Sequence, residues 1–187
     1  MTPHVNLSSF AGGGKTTIAG LLIATYRTVM IPKITTRPRR PTEEIPEYVF
    51  VSRGEFQRRR SLGHFLAVEE IAVNGGVHHH AIPKVEHWPC ISEGTELVLS
   101  AFGEKARLAQ RCIPAMKLIF ISIKNRDILA ERLRQRCVLD GGSFEKKWVL
   151  NERYFSTDIE KEYDFVVYND TTPEECVAQI MQVIEER

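Results

Sequence analysis

Residues 5–17 read VNLSSFAGGGKTT, and this stretch decides the fold of the 187-residue chain. Residues 5–8 form a short run typical of a strand, and apolar side chains recur at helical spacing over residues 18–25. A strand, a glycine-rich loop and a helix in this order are the surroundings in which the motif G-x-x-x-x-G-K-[ST] binds nucleotide phosphates. Residues 14–16 match that motif, whereas Ser9 stands at its first glycine.

The composition of this loop indicates its chemistry. Glycines let consecutive backbone N–H groups turn inward at a helix N-terminus, where they surround an anion. We predict that Lys15 neutralises the β- and γ-phosphates of a bound nucleotide and that Thr16 binds Mg²⁺. The predicted nucleotide-binding residues of the loop are Ala11, Gly12, Gly13, Gly14, Lys15, Thr16 and Thr17.

Strand and helix patterns alternate along most of the chain, which favours one domain with a parallel sheet covered by helices on both faces. Residues 33–83 are the exception, because the turn signal Asn74-Gly75-Gly76 there separates strand patterns at 65–68 and 77–82. This part of the sequence predicts an inserted β-rich lobe. Further strands are predicted at 29–31, 48–51, 96–100, 117–121 and 163–167, and helices at 52–60, 83–91, 103–112, 125–136, 144–158 and after a cap at Thr172.

Charge and apolar patterning argue against several classes of protein. The chain has 25 Lys and Arg against 24 Asp and Glu, so it has no general attraction for polyanions. The longest apolar stretches, such as residues 116–121, are much shorter than the roughly 20 residues that span a bilayer. The first residues do not resemble a secretory signal, and the four scattered cysteines favour reduced, buried thiols. We therefore expect a cytoplasmic protein without nucleic acid or membrane partners.

A basic cluster at residues 35–43, TTRPRRPTE, precedes the strand pattern that begins at Tyr48. It resembles the Thr-Thr-Arg-x-Pro-Arg-x-Gly-Glu and Tyr-x-Phe patterns of guanylate kinases, with the second arginine at Arg40. In that family the two arginines and the tyrosine bind the phosphate of the acceptor nucleotide. The resemblance therefore implies that Arg37, Arg40 and Tyr48 bind an acceptor phosphate, a task suited to guanidinium groups.

The resemblance extends over nearly the whole chain, through a Gly-x-Phe-Leu pattern at 63–66, Arg-Leu-x-x-Arg at 132–136 and a late Tyr-Asp-x-x-x-x-Asn-Asp. It implies an α/β P-loop kinase with three α/β/α layers and a parallel five-stranded core sheet. The core would consist of residues 1–32, 84–136 and 148–187, the acceptor-binding lobe of residues 33–83 and a short lid of residues 137–147.

The same resemblance assigns roles to residues in the second half of the chain. Arg132 and Arg136 lie four positions apart on one helix face, so both can reach bound phosphates. The resemblance implies that they stabilise the phosphoryl group in transit, and Arg153 is a third candidate for this catalytic role. Asn169 resembles the family residue near the base of the ATP donor.

The acceptor half departs from the family pattern. Guanylate kinases read guanine with a glutamate, and Ala67 stands in its place. Glu69 follows Ala67 by two positions and shares its strand face, whereas Glu70 follows it by three. The remaining acceptor contacts that we predict are Lys33, Glu70, His80 and Ser100.

The sequence thus predicts an ATP- and Mg²⁺-dependent phosphotransferase, most simply a nucleoside monophosphate kinase that phosphorylates GMP or dGMP. One alternative is a kinase of the same scaffold with another phosphorylated acceptor, such as ribose 1,5-bisphosphate. Another is a non-catalytic binding module, which the intact residues 14–16 disfavour. The expected partners are small nucleotide substrates, and the chain is expected to be a monomer or a homodimer.

Overall fold

The computed structural model describes residues 4–26, 28–40, 43, 47–73, 76–88, 96–140, 142–155 and 157–185. In chain order the elements are β1 (Val5–Ser9), α1 (Lys15–Thr25), β2 (Thr28–Met30), β3 (Lys33–Thr35), β4 (Tyr48–Phe50), α2 (Arg53–Ser61), β5 (Phe65–Val73), β6 (Gly76–Pro83), β7 (Glu96–Leu99), α3 (Glu104–Cys112), β8 (Lys117–Ser122), α4 (Arg126–Asp140), α5 (Phe144–Phe155), β9 (Phe165–Tyr168) and α6 (Pro173–Glu185).

The larger sheet has five parallel strands in the order β2-β7-β1-β8-β9. Side chains of β8 alternate between its two faces: Leu118 and Phe120 pack on the side of α3 and α4, whereas Ile119 and Ile121 pack on the side of α1 and α6. A strand buried on both faces requires the continuous apolar run that this sequence contains. The predicted three-layer architecture around a parallel five-stranded sheet is confirmed.

The smaller sheet has the order β4-β3-β6-β5 and contains both parallel and antiparallel pairs. Helix α2 lies against it through Phe56, which is fully buried with Ile34 and Ala81. The predicted cap of this helix is present, because the Ser52 hydroxyl accepts a hydrogen bond from the Glu55 N–H (3.1 Å). Strand β3 lacked a recognisable signal, since its three residues follow Pro32 directly and the last of them, Thr35, already belongs to the basic cluster.

Several element boundaries differ from the sequence-based prediction. The predicted helix over 83–91 is wrong within the described residues: Pro83 pairs with Phe65 at the end of β6, and only a 3-10 turn, Val85–His87, follows. Helix α4 continues to Asp140, into the segment predicted as a lid, and α5 ends at Phe155 instead of residue 158. The predicted turn residues 74 and 75 lie outside the described residues, although the strands on both sides pair from Val73 and Gly76 onward.

No described helix is both long enough and apolar enough to cross a membrane. Among the described cysteines, Cys137 and Cys176 are free and buried, as predicted, whereas Cys112 is free but exposed. Cys90 lies outside the described residues.

Candidate functional site

The glycine loop joins the end of the central strand β1 to the first turn of α1. Gly12 and Gly14 adopt φ angles of +88° and +90°, which only glycine adopts without strain, and a Cβ at Gly14 would collide with the Asn169 side chain. A Cβ at Gly13 would lie 2.9 Å from the Cβ of Ser9. Ser9 is therefore accommodated at the first motif position because Gly13 has no side chain.

A cavity of about 770 Å³ opens between this loop, the smaller sheet and the helices α4 and α5. It brings together most of the residues that the sequence predicts for donor and acceptor binding. Those that line it are Ala11, Gly12, Gly13, Gly14, Lys15, Thr16, Thr17, Lys33, Arg37, Arg40, Tyr48, His80, Ser100, Arg132, Arg136 and Asn169. The two exceptions are Glu70 and Arg153, which lie outside the lining; both side chains are largely exposed.

Glu47 connects the loop to the smaller sheet. Its Oε1 lies 3.2 Å from Lys15 Nζ and 3.0 Å from Lys33 Nζ, and it accepts a hydrogen bond from the Ser100 hydroxyl (2.8 Å). Lys15 Nζ also contacts the Ser100 hydroxyl. One carboxylate thus binds both Lys15 of the glycine loop and Lys33 of the smaller sheet, which form the two halves of the cavity.

The electrostatics of this group follow from burial and from the shared carboxylate. Burial would raise the pKa of Glu47, but Lys15 and Lys33 hold that pKa far below its ordinary value. Burial also opposes the charge of Lys33, and the attraction of Glu47 outweighs it, so the pKa of Lys33 is raised. For Lys15 burial dominates and lowers the pKa despite the same carboxylate. Glu47 and Lys33 therefore form a stable ion pair at neutral pH, and Lys15 shares their carboxylate.

Arg37 forms the second cationic centre of the cavity. Its side chain is only 3% exposed, and its Nη1 and Nη2 meet the two carboxylate oxygens of Glu43, with Nη1 to Oε2 at 2.9 Å. The guanidinium carbon lies 4.6 Å from the centre of the Tyr48 ring. The Arg40 N–H donates to the same carboxylate (2.8 Å). Because Glu43 occupies the Nη1–Nη2 edge of this buried guanidinium, a phosphate would bind at its Nε–Nη2 edge.

The wall opposite the loop contains Ala67, Glu69 and His80, and all three line the cavity. Glu69 Oε1 lies 3.8 Å from His80 Nδ1, and the Glu69 carboxylate also pairs with Lys105 of α3. The predicted contact Glu70 points to the other face of β5, because side chains alternate along a strand. Glu69 therefore supplies the carboxylate of this wall.

His80 is a neutral base within a cationic site. Its pKa is lowered to about 3 by burial and then by the charges of Lys33, Arg37, Lys105 and Arg40. Among the described residues, its buried Nε2 atom has no hydrogen-bond partner. In the neutral tautomer that carries its proton on Nδ1, on the side of Glu69, Nε2 is a hydrogen-bond acceptor.

This shift predicts a pH-dependent stability. The unfolded chain protonates His80 near pH 6.5, but the folded protein does so only near pH 3. Between these two pH values the unfolded chain binds a proton at His80 and the folded protein does not. The free energy of unfolding is therefore unaffected by His80 above pH 6.5 and decreases as the pH falls from 6.5 toward 3. Urea denaturation between pH 7 and 4 should show a smaller loss of stability for His80→Gln than for the wild type. The exposed His87→Gln serves as the control, and equal losses in all three proteins would contradict the prediction.

Arg132 and Arg136 reach the cavity from the same face of α4, as their spacing predicts. Arg132 Nη1 donates to the backbone carbonyl of Asn169 (2.8 Å), and the Asn169 amide donates in turn to the carbonyl of Gly13 (3.0 Å). Arg132 is thereby linked to the glycine loop. Arg153 of α5 is exposed and is not among the residues that line the cavity.

Three residues of the site were missed by the sequence analysis: Glu47, Lys105 and Asn151. The position of Glu47 directly before Tyr48 was its only local signal, and Lys105 is one of several lysines on predicted helices. Asn151 lies inside an α5 sequence whose pattern gives no sign of a partner. All three act on residues distant in sequence, which local patterns do not report.

Comparisons with known proteins agree with this arrangement. A family model described as guanylate kinase matches residues 2–187. A guanylate kinase from Saccharophagus degradans is 29% identical over 175 residues, covering 91% of this chain and 82% of that protein. One from Methylococcus capsulatus is 28% identical over 171 residues, covering 88% and 78%. The crystal structure of guanylate kinase from Anaplasma phagocytophilum shares the fold, with a TM-score of 0.66 at 22% identity over 97% of this chain and 84% of that one.

Proposed function

Because the chain belongs to the guanylate kinase family, we propose that it transfers the γ-phosphoryl group of ATP to the phosphate of GMP or dGMP. The observation that carries this proposal is the single cavity that contains both Lys15 of the glycine loop and the Arg37 guanidinium. A triphosphate on the loop and a monophosphate on the guanidinium would face each other there. Phosphoryl transfer depends mainly on such positioning and on charge stabilisation.

In the proposed reaction, an oxygen of the acceptor phosphate attacks the γ-phosphorus. A new P–O bond forms to the acceptor, the bond to the β-phosphate oxygen breaks, and ADP leaves with that oxygen. The loop N–H groups and Lys15 bind the donor phosphates, and Arg37, Arg40 and Tyr48 bind the acceptor phosphate. Arg132 and Arg136 stabilise the charge on the transferred group.

The residues present fit Mg²⁺ held mainly by substrate. Within the described part of the chain, no group of three His, Cys, Asp or Glu side chains could hold a metal ion by itself. Thr16 lines the cavity next to Lys15, and its hydroxyl would supply one oxygen ligand. Mg²⁺ commonly takes few protein ligands and completes its shell with phosphates and water. When bound, Mg²⁺ neutralises charge on the donor phosphates.

The choice of GMP and dGMP is supported by Glu69. Its carboxylate lines the cavity on the same strand face as Ala67, where it can accept hydrogen bonds from the N–H groups of guanine. His80 lies beside it and is neutral, and in the tautomer protonated at Nδ1 its Nε2 would be a second acceptor. These two acceptors would replace the missing glutamate at position 67.

A second candidate function rests on a different feature of the same pocket. Lys33 and Lys105 add two positive charges to the acceptor half, and Ala67 has no group that reads a base. An acceptor with two phosphates and no base, such as ribose 1,5-bisphosphate, would suit those charges. In that case Lys105, released from Glu69, would contact the second phosphate.

The two functions are separated by measuring ADP release with Mg²⁺-ATP and each of GMP, dGMP, AMP, CMP, UMP, dTMP and ribose 1,5-bisphosphate. We expect the highest kcat/KM with GMP or dGMP, and a reduction of about tenfold in Glu69→Gln from the loss of a charged hydrogen bond. Glu70→Gln, one position along the same strand, is the matched control and should behave as the wild type.

Other results would overturn the proposal. A preference for ribose 1,5-bisphosphate that survives Glu69→Gln would favour the second candidate. Absence of ATP binding would favour the binding-module alternative. A cytoplasmic location, a monomeric or homodimeric state and the absence of nucleic acid and membrane partners stay predictions.

A further inference from the structure

Asn151 makes an unusual contact with the glycine loop from a position 140 residues further along the chain. The Ala11 N–H donates to its Oδ1 (3.0 Å), and its Nδ2 donates to the Ala11 carbonyl (2.9 Å). The residue is fully buried. Its amide therefore pairs with both polar groups of one peptide residue, as a neighbouring strand would.

The contact is part of a continuous interface between α5 and the loop. One turn after Asn151, the ring of Phe155 packs against Phe10, with centroids 4.4 Å apart. Leu150 and Tyr154, on the same side of α5, line the cavity. Helix α5 thus lies along residues 10 and 11 of the loop, and Asn151 makes the polar contact of that interface.

Ala11 lies at the point where the backbone of the glycine loop begins to turn. Ala11 immediately precedes Gly12, whose φ of +88° begins the turn of the backbone toward the phosphate site. A glycine-rich segment has many accessible conformations, and an anion site requires one of them. With both its N–H and its carbonyl bound, Ala11 cannot rotate its peptide groups independently of α5.

We propose that Asn151 is a positioning residue that holds the glycine loop in its phosphate-binding conformation through the backbone of Ala11. This proposal rests on the proposed function, because it takes the loop to be the donor site. Asn151 acts on ATP binding through Ala11, and the acceptor half, centred on Arg37, lies on the other side of the cavity. Loss of Asn151 should therefore weaken ATP binding much more than acceptor binding.

Asn151→Asp gives a signature that a general loss of stability would not produce. A protonated aspartic acid has one donor and one acceptor and can reproduce both contacts with Ala11, whereas an ionised carboxylate faces the Ala11 carbonyl with no donor. Burial raises the pKa of such a carboxyl group. The ATP affinity of this variant, relative to the wild type at each pH, should fall as the pH rises from 5 to 8.

The experiment is calorimetric titration of the full-length protein with Mg²⁺-ATP and, separately, with GMP. We expect the Kd for ATP to rise about tenfold in Asn151→Ala, in keeping with the loss of two buried hydrogen bonds, while the Kd for GMP changes less than twofold. Phe155→Leu is the matched control, because it weakens the same interface without removing those bonds. It should lower the melting temperature but keep the ATP affinity within about twofold.

The outcomes separate this inference from the function on which it rests. A wild-type protein that does not bind ATP would overturn the proposed function. A wild type that binds ATP, with Asn151→Ala binding it equally well, would overturn only the role of Asn151. If Asn151→Ala does not fold, the pH dependence of Asn151→Asp decides the question, and a profile parallel to the wild type rejects the proposal.

Discussion

Lys15→Ala is expected to lower kcat by about 10²–10³-fold, the usual effect of removing one group that stabilises transition-state charge. Lys15 is the loop cation of the cavity, and in the proposed reaction it binds the phosphates between which the bond breaks. Its removal leaves Glu47 paired with Lys33 and hydrogen-bonded to Ser100, so the fold should persist. Steady-state ADP release with saturating Mg²⁺-ATP and GMP measures the effect.

The control for this variant is Lys161→Ala, which removes an exposed lysine that pairs with Asp158 and does not line the cavity. Its kcat should equal that of the wild type. Circular dichroism should show the same helix content in all three proteins. Turnover of Lys15→Ala within a factor of three of the wild type would contradict the donor-site assignment.

Arg37→Gln is expected to reduce kcat/KM for the acceptor by roughly 100-fold, since hydrogen bonds to charged groups contribute about 1.5–3 kcal/mol each. The Arg37 guanidinium is buried and oriented by Glu43 and Tyr48, so it does not need to be ordered when an acceptor phosphate binds. The reduction should come mainly from KM for GMP, while the Kd for ATP remains near the wild-type value. Initial rates over a range of GMP concentrations give both constants.

A loss of stability could imitate this result, because Glu43 would lose its ion-pair partner. The double variant Arg37→Gln/Glu43→Gln removes both charges and can retain a neutral hydrogen bond between the side chains. We expect it to recover much of the melting temperature without recovering acceptor binding. Recovery of kcat/KM together with stability would show that Arg37 is structural only.

The glycine loop and the helix caps could be predicted because their residue types are required by the local backbone. The sequence 14–16 and the following helix predicted the loop, because the motif requires that context. Likewise, Thr172 before Pro173 predicted the start of α6, and the Glu175 N–H donates to the Thr172 hydroxyl (3.3 Å). Caps and loops of this kind depend on neighbours in sequence.

Other features depend on pairing with distant segments. Pro83 suits the first turn of a helix, but its pairing with Phe65 keeps it in β6. The strand register also decides between the two glutamates of β5, since Glu69 lines the cavity and Glu70 does not. The contacts of Glu47 and Asn151 span 32 and 140 residues, so no local pattern could predict them.

The position of Glu47 between Lys15 and Lys33 makes the two halves of the cavity energetically interdependent before either substrate binds. In the proposed reaction the donor phosphates would draw Lys15 away, leaving the carboxylate with Lys33 as its cation and with the Ser100 hydroxyl, so the field in the acceptor half would become more negative. Thermodynamic linkage makes this effect reciprocal. The factor by which bound ATP changes the affinity for the acceptor equals the factor by which bound acceptor changes the affinity for ATP. If both substrates bind as proposed, the shared carboxylate would couple their affinities, and the sign of the coupling would depend on the charge that the acceptor presents to Lys33.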